Sequence, residues 1–335
     1  MKNLLVASVM TLGIMGANAG EEVNVYSYRQ TFLIEPMLSE FTKETGIKVN
    51  VKFAQKGMAE KVKQEGEYSP ADVLLTVDIS RLMELVNKDL VQPVDSITLK
   101  NNVPDQYRDS GDRWFALTTR ARTVYSSRYR VGMLDESFDY MDLAKPKWKG
   151  KLCTRSGKHA YNVSLVSAII ANHGEVKAKT WLEGVKANLA RKPQGNDRGQ
   201  VKAISEGLCD LSLGNSYYLG KMLVDDEQKP WANSVYLNYI GQKSNGTHVN
   251  ISGMAMAKHA PNRDNAQKLM EFLTSDVAQR LYADVNFEEP VKLGVKRSKL
   301  VASWGEYTAD DLPLETIAEN YTKAMKLLDE VKFDL

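Results

Sequence analysis

Ala71 to Val77, ADVLLTV, is a nearly continuous apolar run of strand length, and its reading decides the fold. A strand without alternation is covered on both faces, as in a sheet with helices above and below it. The flanking segments agree. Val23 to Tyr28, VNVYSY, alternates as a strand does. Phe32 to Thr45 then sets Phe32, Leu33, Met37, Leu38 and Phe41 at helical spacing and stops at Gly46. Lys48 to Ala54, KVNVKFA, alternates again, Gly57 to Glu65 reads as a polar helix, and Ser80 to Leu90 as an amphipathic one. Strand and helix in three successive pairs are the pattern of a right-handed parallel α/β unit.

Asn101 to Arg113 is polar and reads as loop. Two strands are expected next, Trp114 to Thr118 and Thr123 to Ser127, separated by Thr119-Arg120-Ala121-Arg122. A second α/β set follows. It has a strand at Cys153, helices over Asn162 to Asn172 and Val176 to Leu189, a glycine-rich link (Gly195, Gly199) and a short helix from Gln200 to Gly207. A strand at Cys209 then runs into NSYYLG, Asn215 to Gly220. Val235 to Tyr239 and Val249 to Ala257 read as strands, and Arg263 to Leu273 and Asp276 to Ala283 as helices. A final amphipathic helix is expected from Leu314 to Val331. No internal repeat or low-complexity tract interrupts the pattern.

The expected fold is α/β with two lobes, each a mixed sheet flanked by helices, and a ligand cleft between them at carboxyl ends of strands. Residues 20–118 and 246–300 form the N-terminal lobe in this reading, and 119–245 and 301–335 the C-terminal lobe. A chain of 335 residues is long enough for two cores. A net charge of +2, with no long charge run, gives no reason to expect a nucleic-acid partner.

Lys2, the apolar run from Leu4 to about Met15 and the small residues of Ala17-Asn18-Ala19 are the pattern of a secretory signal peptide over residues 1–19. The expected location is the periplasm. Two cysteines in an exported chain point to one disulfide, Cys153 with Cys209, rather than a metal site; two separate free thiols are the alternative.

Neither HExxH, nor GxSxG, nor a P-loop occurs, so three common enzyme classes lack their local signature and no catalytic residue is assigned. The histidines at 159, 173, 248 and 259 show no ligand spacing, although His159 lies two residues before Tyr161. Tyr217 and Tyr218 carry more information. On a strand they would face opposite ways, but in a loop or the first turn of a helix both oxygens can converge. Phenols ionise near pH 10, so convergent phenols imply a cation between them. A half-buried aromatic pair on a lobe surface is the ordinary alternative. Tyr161 and Tyr217 each lie eight residues after a cysteine, so parallel strands starting at the cysteines would deliver both segments to one edge.

Taken together, VYSYRQ, SPADVLLTVDISRL, WFALTTRAR, KLCTRSGKHAYNVSL and LCDLSLGNSYYLG span essentially the whole mature chain. They resemble the periplasmic ferric-ion-binding proteins that serve ABC iron importers. The resemblance implies iron ligation by Tyr161, Tyr217 and Tyr218, an inner-membrane permease with its ATPase as partners, and a monomer. Hard ferric ion prefers oxygen donors, and three phenolates balance its charge. Many relatives add a His-Tyr pair at the end of the first strand, where this chain has Gln30 and Thr31 after Arg29. Members with Arg-Gln there complete the iron sphere with carbonate. The resemblance therefore implies a (bi)carbonate held by Arg29, Gln30 and Arg120, with Arg122 a weaker candidate. The rival role for Arg29 and Arg120 is an ordinary interlobe salt bridge. The same fold could instead bind an organic cation or a phosphorylated compound, with the aromatic pair as a stacking wall.

Overall fold

The computed structural model describes residues 21–335; the expected signal peptide lies outside the described residues. Its strands are β1 (Glu22–Ser27), β2 (Lys48–Phe53), β3 (Val73–Thr76), β4 (Val91–Gln92), β5 (Phe115–Ser127), β6 (Leu152–Cys153), β7 (Leu211–Asn215), β8 (Val235–Asn238), β9 (Val249–Ala257) and β10 (Glu289–Pro290). β1 pairs in parallel with β2 and β3, giving the order β2-β1-β3-β9-β5-β7-β6. All four residues of β3 are buried, as its unbroken apolar sequence requires. β2 lies at the edge with every residue exposed or half-buried, so its alternating sequence does not give a buried face: Val51 and Phe53 are exposed. The helix Thr31–Thr45 buries Leu33, Ile34, Met37, Leu38 and Phe41 on one face and ends where Gly46 turns left-handed at φ 74°.

The one large departure from the sequence reading is β5. It is a single strand of thirteen residues, every one buried, and not two strands with a break at Thr119–Arg122. Two arginines in a strand interior read as an interruption because an isolated buried guanidinium is very unfavourable. Here both charges are neutralised or hydrogen-bonded inside the protein. The first half of β5 pairs with β9, from Phe115↔Met254 to Ala121↔Val249. The second half pairs with β7 on one side and β8 on the other. β5 is therefore the rod that joins two sheets, and its arginines sit at the crossing.

The apolar side chains divide accordingly. One core gathers residues of β1, β3, β9 and the first helices, and a second gathers Val124, Leu152, Val163, Leu211, Leu213 and the C-terminal helix. This is the two-lobed α/β arrangement expected. The final helix, read as one element, is two: Leu314–Glu319 and Tyr321–Glu330, meeting at Asn320. The break lets Leu314 and Ile317 reach the first core while Leu327 and Leu328 stay in the second. A straight amphipathic helix cannot turn its apolar face toward two cores at once. Among the described residues, no helix is long and apolar enough to cross a membrane.

β6 and β7 are parallel neighbours, with Leu152 opposite Leu211 and Cys153 opposite Ser212. Cys153 and Cys209 form a disulfide with Cα atoms 5.8 Å apart, closing a sequence separation of 56 residues. In the chain-entropy model such a loop contributes about 4 kcal/mol.

Candidate functional site

The tyrosine segments arrive at one place for local reasons. β7 ends at Asn215 and passes at once into the helix Ser216–Leu223, so Tyr217 and Tyr218 occupy its first turn. Gly214 admits this turn because a Cβ there would stand 2.1 Å from the Tyr125 ring, whose hydroxyl donates to the Asn215 carbonyl oxygen at 2.6 Å. Beside β7, the two residues of β6 lead through Arg155 to the helix Ala160–His173, with Tyr161 in its first turn. The disulfide ties the roots of both segments together.

The hydroxyl oxygens of Tyr161 and Tyr217 are 3.3 Å apart, and the rings of Tyr217 and Tyr218 lie 4.2 Å apart at 32°. Tyr217 is 1% exposed. Burial pushes the Tyr217 phenol well above its ordinary value, and the neighbouring Tyr161 and Tyr218 add to this. Tyr218 is raised by burial, then by Tyr161 and Asp197. Near neutral pH both therefore hold their protons. Clustered phenolate oxygens are hard anionic donors, and a bound multivalent cation would reverse the balance by favouring the deprotonated form. Among the described residues, no group of three or more His, Cys, Asp or Glu side chains is placed to hold a metal.

Cations surround the trio. The guanidinium carbons of Arg120, Arg122 and Arg155 lie 5.4, 5.8 and 5.3 Å from the Tyr161 ring centroid. Arg120 donates to the backbone oxygens of Val77 and Ile251, the latter at 2.7 Å. Arg122 is bound to Asp197 at 2.7 Å, to Asn162 at 2.6 Å and to Asn215 at 3.0 Å. Arg155 reaches the other Asp197 oxygen at 3.3 Å. Burial alone would raise the Asp197 carboxyl, but Arg122 and Arg155, helped by the Asn215 N–H, bring it below the ordinary range. Sequence reading missed Arg155, Asp197 and Glu288. Arg155 lay inside the quoted KLCTRSGKHAYN segment, whereas Asp197 sat in what read as a glycine-rich link.

Arg29 is 1% exposed and makes a two-pronged ion pair with Glu288, at 3.2 and 2.7 Å. Burial opposes its charge, but the Glu288 carboxylate more than compensates, and Arg29 stays above the ordinary arginine value. Gln30 is exposed at the start of the first helix, with its side chain free of any capping bond. The Nε atoms of Arg29, Arg120, Arg122 and Arg155 are buried without a hydrogen-bond partner among the described residues. Four unused donors on cationic groups would suit a small planar oxyanion.

His159 caps the Tyr161 helix by accepting from the Tyr161 N–H at 3.3 Å. Burial and then the nearby Arg155 push its pKa down to about 3, so the ring stays neutral and able to accept. The hydroxyls of Tyr26 and Tyr28, at the end of the first strand, have partners outside the trio. Tyr26 donates to Glu65 at 2.9 Å, and the Tyr28 hydroxyl accepts from the Met58 N–H at 2.7 Å. A cavity of about 280 Å³ touches Tyr217 and Tyr218. A larger one, about 520 Å³, is lined by Tyr28, Asp78, Arg81 and Tyr321 and reaches Ala160 but none of the three tyrosines.

Comparison with known proteins adds a separate line. Residues 26–280 match the family described as bacterial extracellular solute-binding protein. Iron uptake protein A1 of Synechocystis sp. is 41% identical over 92% of this chain and 87% of that protein. The crystal structure of Pasteurella haemolytica apo ferric ion-binding protein A is 60% identical, covers 94% of this chain and 99% of its own, and superposes with a TM-score of 0.92. A Trichodesmium protein solved with iron and citrate ligands is 37% identical over 93% of this chain and 99% of its own, with a TM-score of 0.85.

Proposed function

The chain belongs to the bacterial extracellular solute-binding proteins, in their periplasmic iron-binding branch, and on that premise we propose that it captures ferric ion with the phenolates of Tyr161, Tyr217 and Tyr218. The observation that carries the reading is the 3.3 Å approach of two phenol oxygens, with the third ring packed at a tilt against one of them. Uncharged phenols packed this closely gain little from one another. Bound to a trivalent cation they supply three negative charges and release their protons.

Three oxygens half-fill an octahedral sphere. (Bi)carbonate completes it in this proposal, held by Arg29, Gln30 and Arg120 and drawing on the unpartnered Nε donors of the two arginines. The Glu288 pair fixes the Arg29 guanidinium while leaving Nε free, so salt-bridge and anion-binding roles coexist in one side chain. All three tyrosines fall in the lobe of residues 119–245 and 301–335. Arg29 and Gln30 fall in the other, of residues 20–118 and 246–300. Iron would load on the tyrosine lobe and the arginine lobe would close over it. The loaded protein, a monomer exported to the periplasm, would then deliver iron to an ABC permease and its ATPase.

The test is ferric ion added to the apo-protein in bicarbonate buffer. A visible phenolate-to-iron charge-transfer band is expected. Tyr217→Phe or Tyr218→Phe should weaken ferric affinity by more than the roughly 100-fold typical of losing an outer-shell partner. A colourless protein without tight ferric binding would refute the reading. Removing bicarbonate should recolour or weaken the complex, and Arg120→Ala should do the same; indifference to both would remove the anion and leave the tyrosines.

A further inference from the structure

The cavity of about 280 Å³ beside Tyr217 and Tyr218 is also lined by Arg198, Lys221, Asp225 and Gln228. Its cations differ from those behind the tyrosines. Arg122 and Arg155 share Asp197, whereas Arg198 and Lys221 form no ion pair among the described residues. The acid in the same wall is occupied. Asp225 accepts from the backbone N–H groups of Glu227 and Gln228 at 3.0 and 3.1 Å, and from the Gln228 amide at 2.7 Å. Lys221 is half-buried, with its ammonium 5.8 Å from the Phe32 ring centroid. Burial lowers its pKa, and the Glu288 carboxylate offsets this only in part. A half-buried cation and a second cation lining one cavity with two neutral phenols make an arrangement that an incoming anion stabilises.

We propose that this cavity is a docking subsite for the carboxylates of an anionic ferric chelate, with Arg198 and Lys221 holding the carboxylates while the metal faces Tyr217 and Tyr218. The inference rests on the phenolate reading of the preceding subsection. It is separate from the (bi)carbonate placed at Arg29, Gln30 and Arg120. Transfer is a ligand exchange. Iron–carboxylate bonds break and iron–phenolate bonds form, each phenol proton passes to the released carboxylate or to water, and iron remains ferric throughout. Arg198 and Lys221 hold the departing carboxylates close to the cavity mouth and neutralise the charge they regain.

Loading can be followed by growth of the charge-transfer band from two donors, ferric citrate, which is anionic, and ferric tris(acetohydroxamate), which is neutral. Doubly substituted Arg198→Gln/Lys221→Gln protein should load about tenfold more slowly from citrate at low salt, the lower end of electrostatic rate effects. Its rate from the hydroxamate and its final band should match the unsubstituted protein. Lys221→Arg should keep most of the citrate rate. Equal slowing with both donors, or unchanged citrate loading, would overturn the subsite. Titration calorimetry with iron-free citrate reads the subsite independently: the unsubstituted apo-protein should bind citrate and the double variant should not. Citrate binding without any ferric band would sink the phenolate reading while sustaining the subsite. A normal band with no citrate binding and unmoved rates would sink the subsite alone.

Discussion

The two walls around the tyrosines treat charge in opposite ways. On the wall of β6 and β7, the buried Tyr217 and the half-buried Tyr218 are acids held neutral, each pushed above its ordinary pKa first by desolvation and then by Tyr161. On the wall of Arg29, a buried cation is held ionised by a carboxylate 259 residues away in sequence. One wall stores protons that a metal can expel, and the other stores charge that is already balanced. A metal site in a low-dielectric cleft needs both. Its donors must be neutral while it is empty, and its second shell must not depend on the cargo for its own neutrality.

The largest effect that would expose this contrast is pH. The three phenols of the proposed site give up their protons as ferric ion binds, so affinity at fixed free ferric activity should fall about a thousandfold per unit as pH drops from 8 toward 6. The sign follows from the shift: acid favours the protonated, unliganded form. A flat profile of band intensity against pH would place the donors elsewhere.

Next come the two buried ion pairs. Glu288→Gln should destabilise the fold by about 3–5 kcal/mol in urea or heat, since it leaves Arg29 charged and uncompensated. The phenolate band at saturation should survive. Asp197→Asn should cost a similar amount but also weaken the band, because Asp197 anchors Arg122, Arg155 and the Asn215 N–H beneath the tyrosine turn. If the two variants behave alike in iron binding, the walls are not distinct. Replacing both cysteines by alanine should lower stability by about 4 kcal/mol and affect Tyr161 and Tyr217 together, since β6 and β7 share only two paired residues besides the disulfide.

The smallest expected change is at Gly220, behind Tyr217. A Cβ there would stand 2.5 Å from the ring of Phe287, itself held at a left-handed φ of 59°. Gly220→Ala should destabilise by about 1–3 kcal/mol and shift the ferric absorption maximum by tilting the tyrosine turn. A variant with wild-type melting and an unshifted band would show that Phe287 yields freely.

Much of the fold was legible because its signals are local. The unbroken ADVLLTV strand, the helix ending at Gly46 and the parallel delivery of two tyrosine segments by two cysteines are each written in a few neighbouring residues. β5 was misread for a reason that locality cannot repair. Arg120 and Arg122 look like a loop until Val77, Ile251, Asp197 and Asn215 are in place around them. The kink at Asn320 was hidden in the same way, because only two separate cores give an amphipathic helix a reason to break.

The sequence by itself supplied the candidate donors: which phenol oxygens are available, and the absence of a His-Tyr pair after the first strand; that the two cysteines form one bridge and are not free thiols was decided by the fold. Tertiary structure decided which charges are free. Arg29 and Arg122 are committed to Glu288 and Asp197, whereas Arg198 and Lys221 are not. Side-chain identity fixes what a group can do. Whether its charge is already spent depends on partners that only folding brings within reach.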